Sequence, residues 1–116
     1  MKTRTFVLIF SAGLLSACSS GSPPTQEISQ AQQAVRSATI AKAGEHAPKE
    51  LAEAQRKVTE AEDAMDGKRY KEARRLSEQA RIDAEYATLR SEAIRSEEEL
   101  NDVSRSAQTV QQELRQ

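Results

Sequence analysis

The sequence predicts an all-α fold: an elongated helical hairpin or three-helix bundle with a long, coiled-coil-like C-terminal helix. After Cys18, the 116-residue chain has only sixteen large apolar or tyrosine side chains, and alanine takes most other apolar positions. Such a chain cannot fill a thick interior, but its helices can approach each other closely. Apolar residues also recur three and four positions apart from residue 26 onward. Finally, residues 68–116 contain no Gly or Pro, which allows one helix roughly 70 Å long.

The N-terminus has the three-part layout of a secretory signal over residues 1–17. Lys2 and Arg4 provide a positive start, an apolar stretch runs from Phe6 to Leu15, and small residues follow it. An apolar helix of about ten residues covers about 15 Å, which is half of the hydrocarbon core of a bilayer. We therefore expect this segment to be removed rather than to remain as a membrane span.

The signal ends in Leu15-Ser16-Ala17-Cys18, which resembles the lipobox of bacterial lipoproteins. The resemblance implies that the chain is cut before Cys18, with a diacylglycerol on the thiol and an N-acyl chain, such as palmitate, on the new amine. Ser19 after the cysteine implies an outer-membrane, periplasm-facing protein rather than one kept at the inner membrane. The alternative is cleavage by ordinary signal peptidase, which would leave a lone thiol without an intramolecular partner.

Residues 18–25 are predicted to be the lipidated cysteine and a flexible tether. Small polar residues and two prolines resist helix and sheet, and about seven such residues can extend roughly 25 Å. The tether would hold the folded part, residues 26–116, away from the lipid headgroups.

Two helices follow, over about residues 26–43 and 48–66. The first has a weak apolar stripe from Ile28, and the second has apolar positions spaced 3-4-3-4 from Leu51 to Met65. Gly44 suits the position after a helix end, and Pro48 suits the first turn of the next helix.

The third helix is predicted over about residues 68–115. Its beginning resembles half of a tetratricopeptide repeat, with Tyr70, Ala73 and Ala80 at the spacing of that family's second helix and Ala61 and Ala64 upstream. No second copy follows at the 34-residue period. The resemblance therefore implies an antiparallel helical hairpin and not the function of such repeats.

The later part of the third helix carries apolar residues at heptad spacing, a pattern typical of a coiled coil. The second helix is too short to cover all of it, so residues past about Arg90 are expected to present an uncovered stripe. We interpret this stripe as a seam for self-association or for a helical envelope protein; the alternative is a frayed tail. The residues predicted to contact a partner helix are Leu89, Ala93, Leu100, Val103, Ala107, Val110 and Leu114.

The stretch from Leu51 to Leu100 is similar to a family of small bacterial envelope lipoproteins known as domain of unknown function 4398. The similarity lies in Leu51-Ala52-Glu53-Ala54, Asp66-Gly67-Lys68-Arg69-Tyr70 and Glu72-Ala73, behind a lipobox. The resemblance implies an alanine-rich helical hairpin in the cell envelope. It implies no particular activity.

Residues able to carry catalysis are sparse. His46 is the sole histidine, and a zinc or general-base site would need companions beyond Glu45 and Glu50. Cys18 is no nucleophile if its sulfur is a thioether, and two isolated glycines make no phosphate-binding loop. The sequence therefore predicts no enzyme, no metal and no cofactor other than the lipid on Cys18.

Five cations form a candidate anion patch around the break before the third helix. The patch could attract peptidoglycan or lipopolysaccharide, although acidic residues lie between the cations and a solvated turn is the simpler interpretation. Export excludes nucleic acid, and the chain after Ala17 has a net charge of about −3, which gives no general affinity for polyanions. The patch consists of Lys68, Arg69, Lys71, Arg74 and Arg75.

These features predict a membrane-anchored periplasmic lipoprotein with a scaffolding or protein-interaction role. The alternative is a binding module that holds peptidoglycan or lipopolysaccharide through the basic tip of the hairpin.

Overall fold

A computed structural model describes residues 21–116 of the chain. The predicted signal peptide, the lipobox with Cys18, and Ser19 and Ser20 lie outside the described residues. Four helices follow: α1 (Thr25–Ile40), α2 (Ala43–His46), α3 (Pro48–Asp66) and α4 (Tyr70–Glu113). The described part contains no strand, which confirms the predicted all-α class.

The long helices form a three-helix bundle in which α4 is the central element. At one end, Glu27 near the start of α1 pairs with Arg74 near the start of α4 at 2.7 Å. At the other end, the Ser91 hydroxyl of α4 donates a hydrogen bond to the Ala41 carbonyl at 2.6 Å. Helices α1 and α4 therefore run parallel, and α3 returns between their ends in the opposite direction.

Alanine makes up most of the interior. Of the fourteen buried apolar side chains in residues 21–116, eleven are alanines and only Ile28, Leu51 and Leu76 are large. One cluster near the hairpin tip contains Ile28 and Leu76, and a second cluster near α2 contains Leu51 with six alanines. Methyl groups at these positions let the helix axes approach closely, which compensates for the small volume of the interior.

The break between α1 and α3 differs from the prediction. Helix α1 ends at Ile40 rather than at about residue 43, and the additional short helix α2 precedes α3. The residue in the left-handed region is Lys42, with φ 62°, and Gly44 lies inside α2 instead of past a helix end. Pro48 occupies the first turn of α3, where its fixed φ and missing N–H cost nothing.

The hairpin tip between α3 and α4 uses its glycine for space and not for its φ. Gly67 has φ −74°, and the left-handed residue is again a lysine, Lys68, with φ 57°. A Cβ at Gly67 would lie 3.1 Å from Arg69 Nε and 3.4 Å from the Asp63 carbonyl oxygen. Glycine therefore gives the Arg69 side chain room where the turn folds back on the last turn of α3, and a larger residue would require Arg69 to shift.

Helix α4 is longer than the bundle. Its residues are covered as far as Ser91, which is buried, and Ile94, which is half-buried. From Arg95 to the end of the described chain every residue is exposed. The part of α4 from residue 95 to 113, here called the extension, projects about 28 Å beyond the bundle.

Candidate functional site

The buried face and the heptad pattern lie on opposite sides of α4. Ala73, Ala80, Ala84 and Ala87 are fully buried against α1 and α3. The heptad residues are displaced from them by two positions, about 200° around the helix axis. We call these ten exposed heptad residues the seam: Ile82, Tyr86, Leu89, Ala93, Ser96, Leu100, Val103, Ala107, Val110 and Leu114.

The seam is exposed from its first residue. The sequence predicted an uncovered stripe only past about Arg90, but Ile82 is 56% exposed and Leu89 is 65% exposed inside the bundle. Helices α1 and α3 pack on the alanine face and border the seam only at its edges, where Ser37 lines a groove with Leu89 and Glu53 lines one with Tyr86. The exposed face is therefore about twice as long as the extension alone.

The seam remains exposed along the extension. Leu100 is 71% exposed and Leu114 is 81% exposed. Scattered exposed apolar residues are ordinary, but a continuous helical stripe of them is typical of an interaction surface. The structure brings all seven sequence-predicted seam residues onto this one face.

Ion pairs fix α4 on its buried side. Lys57 of α3 pairs with Asp83, and Glu50 pairs with Arg90 at 3.1 Å, so α3 is joined to α4 at two levels. His46 lies near the start of the extension, with Nδ1 4.0 Å from Glu98. These contacts hold α2 and α3 on the buried side of α4, and the large side chains of the seam stay more than half exposed.

The five cations of the anion patch all lie at the hairpin tip, but they are not equally available. Arg69 pairs with Glu72 at 2.9 Å, and Arg74 pairs with Glu27 and donates to the Ser22 carbonyl at 3.2 Å. Their charge is therefore largely balanced.

Four of the five cations line a shallow depression, together with the Glu72 carboxylate that pairs with Arg69. The depression is lined by Gly21, Lys68, Arg69, Tyr70, Lys71, Glu72 and Arg75.

The contact to Ser22 fixes where the tether meets the bundle. Pro24 is buried, and its carbonyl accepts the Ile28 amide hydrogen at 3.1 Å. The last residues of the predicted tether therefore pack on the hairpin tip. The free length that remains between Gly21 and Cys18 is about 11 Å when fully extended.

Charged side chains on the surface of α3 form a small cluster around Arg56. Arg56 donates hydrogen bonds to Glu53 and pairs with Glu60 on the next turn. The hydrogen bonds from Arg56 lower the pKa of the exposed Glu53 carboxyl below its usual value, and the carboxylates of Glu53 and Glu60 raise the pKa of Arg56.

Residues 21–116 contain no cluster of three or more His, Cys, Asp or Glu side chains placed to hold a metal ion. No helix of this part of the chain combines the length and apolarity of a membrane span.

The geometry defines the class of this protein: an alanine-packed three-helix bundle from which one helix projects with an exposed apolar face. Residues 26–103, more than half of the chain, match the family model described as Domain of unknown function (DUF4398), and the chain belongs to that family. This match confirms the resemblance seen in the sequence. No curated protein and no solved structure matches the sequence.

Proposed function

We propose that this protein is a lipid-anchored scaffold of the bacterial cell envelope that associates with other proteins through the seam of α4. The exposed seam carries the proposal. This helix face has seven large apolar side chains, each more than half exposed to water. Burying them against a second helix would lower the free energy of the protein in water. A catalytic role has no comparable support, because His46 is the sole histidine and the carboxylate paired with it, Glu98, is an exposed residue 4.0 Å from its Nδ1.

The anchor in this proposal is the lipid on Cys18, and its basis is the sequence. Residues 15–18 match the lipobox pattern directly after an apolar run, and two or more acyl chains hold a protein on a bilayer durably. An outer-membrane address, facing the periplasm, is part of the same proposal and depends on Ser19.

Metabolic labelling tests the anchor. Cells that express the full chain are grown with a palmitate analogue, and the wild type should be labelled and recovered with membranes. The Cys18→Ser variant should be unlabelled, whereas the neighbouring Ser20→Ala variant should behave as the wild type. An unlabelled wild type, or an N-terminal peptide that still contains residues 1–17, would contradict the anchor.

The seam is tested separately in the purified protein. Leu100→Ser with Val103→Ser should abolish association, because it removes two of the large apolar side chains of the seam. The bundle should stay folded, since both side chains are exposed. Ile40→Ser is the control, since Ile40 is 83% exposed but lies on α1 and is not one of the seam residues. If the wild type is a monomer that captures no partner, the interaction role is wrong.

A second candidate function is the binding of an anionic envelope polymer at the hairpin tip. Its support is the depression lined by Lys68, Lys71 and Arg75 beside Tyr70. Lys68→Glu with Lys71→Glu should then remove sedimentation with peptidoglycan or lipopolysaccharide. Lys49→Glu, at an exposed lysine at the opposite end of α3, is the control. Equal sedimentation of all three proteins would exclude this function.

A further inference from the structure

We infer that the partner of the seam is a second copy of this chain, paired antiparallel with residue 98 of the two copies at the centre. This inference rests on the proposed scaffolding role and names the partner of the same surface. Three features of the described residues support it: the order of side-chain sizes along the seam, the position of the bundle relative to the seam, and the area that the seam offers.

The order of side-chain sizes distinguishes the two orientations. In a parallel pair each seam residue faces its own copy, so Ala93, Ser96 and Ala107 would each meet a second small residue. Three of ten layers would then be underfilled, and well-packed helical interfaces avoid such gaps.

In the antiparallel pair centred on residue 98, every small residue faces a large one. Ala93 faces Val103, Ser96 faces Leu100, and Ala107 faces Leu89 of the second copy. The two remaining layers pair Ile82 with Leu114 and Tyr86 with Val110. Shifting the register by one heptad in either direction again brings two small residues together, so this register alone fills all layers evenly.

The bundle does not obstruct this pairing. The extension of one copy would lie along the bundle part of α4 in the other copy, where Ile82, Tyr86 and Leu89 are more than half exposed. Helices α1 and α3 pack on the alanine face and border the seam only at its edges, where Gln30 lies beside Ile82 and Ser37 lies beside Leu89. The same segment of α4 therefore packs on the bundle through its alanine face and offers the seam as a docking surface on its other face.

The area suits a stable but reversible dimer. Seven large seam residues, each more than half exposed, provide roughly 100 Å² of apolar surface apiece. The two copies together would bury about 1,400 Å², which is in the range of standard specific interfaces, about 1,200–2,000 Å².

Charge opposes the pairing at its centre. Glu97 and Glu99 flank the seam and approach their own copies across the two-fold axis in this register. Replacing both by Gln should tighten the dimer about two- to fivefold, since two like-charge pairs are relieved. Glu78→Gln is the matched control at an exposed carboxylate on the same helix, away from the centre of the pairing, and should leave the affinity unchanged.

Cross-linking of introduced cysteines tests the orientation in the full chain. Differently tagged Tyr86→Cys and Val110→Cys proteins are purified, mixed in detergent and treated with a bismaleimide linker of about 8 Å. We expect the mixed 86–110 product and little product from either protein alone, because like positions are about 36 Å apart along the antiparallel pair. Gln55→Cys, exposed on α3, reports random collisions.

Each outcome decides the inference. The mixed product supports it, and homodimeric products of Tyr86→Cys and Val110→Cys would show a parallel pair and overturn it. A monomer in sedimentation, or cross-linking only to a different envelope helix, would also overturn it. The experiment is repeated with Cys18→Ser, so that failure of lipid attachment, measured by the mass of the N-terminal peptide, is separate from failure of the pairing.

Discussion

Replacing Leu51 by alanine should destabilise the bundle far more than the same change at an exposed site. Leu51 is 7% exposed and is the only large buried side chain in its cluster, where the other buried members are alanines. The substitution removes three carbon atoms, worth about 2.4 kcal/mol at about 0.8 kcal/mol per methylene. The cavity left behind raises the total loss to about 3–5 kcal/mol. Helices that already touch through alanine methyl groups cannot move closer to fill it.

Urea unfolding followed by circular dichroism at 222 nm measures this loss. The midpoint should fall by at least about 1 M with an unchanged slope, and the melting temperature should fall by about 12 °C or more. Ile40→Ala is the control, because Ile40 is 83% exposed and its truncation should cost less than about 0.5 kcal/mol. A loss below about 1 kcal/mol for Leu51→Ala would refute the assignment of this side chain to the centre of the cluster near α2.

Three other predictions concern the buried and charged contacts. Ser91→Ala should cost about 1–3 kcal/mol in thermal unfolding, because it leaves the carbonyl after α1 without the donor that lies 2.6 Å away; Ser91→Thr, if tolerated, should recover part of the loss. Ala84→Leu should cost about 1–3 kcal/mol or more in urea unfolding, since the side chain is fully buried between close helices and the added atoms force them apart. Glu53 has a lowered pKa in the folded protein, so its pairing with Arg56 stabilises the fold above the usual carboxyl pKa of 4.5 and is lost as the pH falls through the folded value. Arg56→Gln should therefore reduce the pH dependence of stability below about pH 4.5, slightly because the pair is at the surface, and an unchanged acid titration of stability would contradict it.

The helical class and the long uninterrupted helix could be predicted because they follow from local rules. Three- and four-residue spacing and the absence of Gly and Pro after residue 67 leave little else for this chain to form. The hairpin turn follows from Gly67 for the same reason. The backbone conformation of the turn is a finding of the structure, in which Lys68 has the positive φ and Gly67 gives room beside Arg69.

The buried face of α4 could be predicted from the spacing of Ala73, Leu76, Ala80, Ala84 and Ala87, which places them towards the second helix, and all five are buried. The exposure of Ile82, Tyr86 and Leu89 could not be predicted, because the seam was expected to be uncovered only past about Arg90. Close approach of three helices favours the smallest side chains, and the larger ones are left outside. The short helix α2 was not predicted, because its four residues are too few to show a helical spacing of apolar residues.

The hydrogen bond from Arg74 to the Ser22 carbonyl fixes the point where the tether joins the bundle, at the end of the molecule opposite to the tail of α4. In the antiparallel pair that we infer, the two joining points therefore lie at opposite poles, about 70 Å apart along the shared axis. About 11 Å of chain separates Gly21 from Cys18 on each side. With the proposed lipid on each Cys18, such a pair would be attached to the bilayer at both of its ends. It would then set a fixed spacing between two points of the envelope.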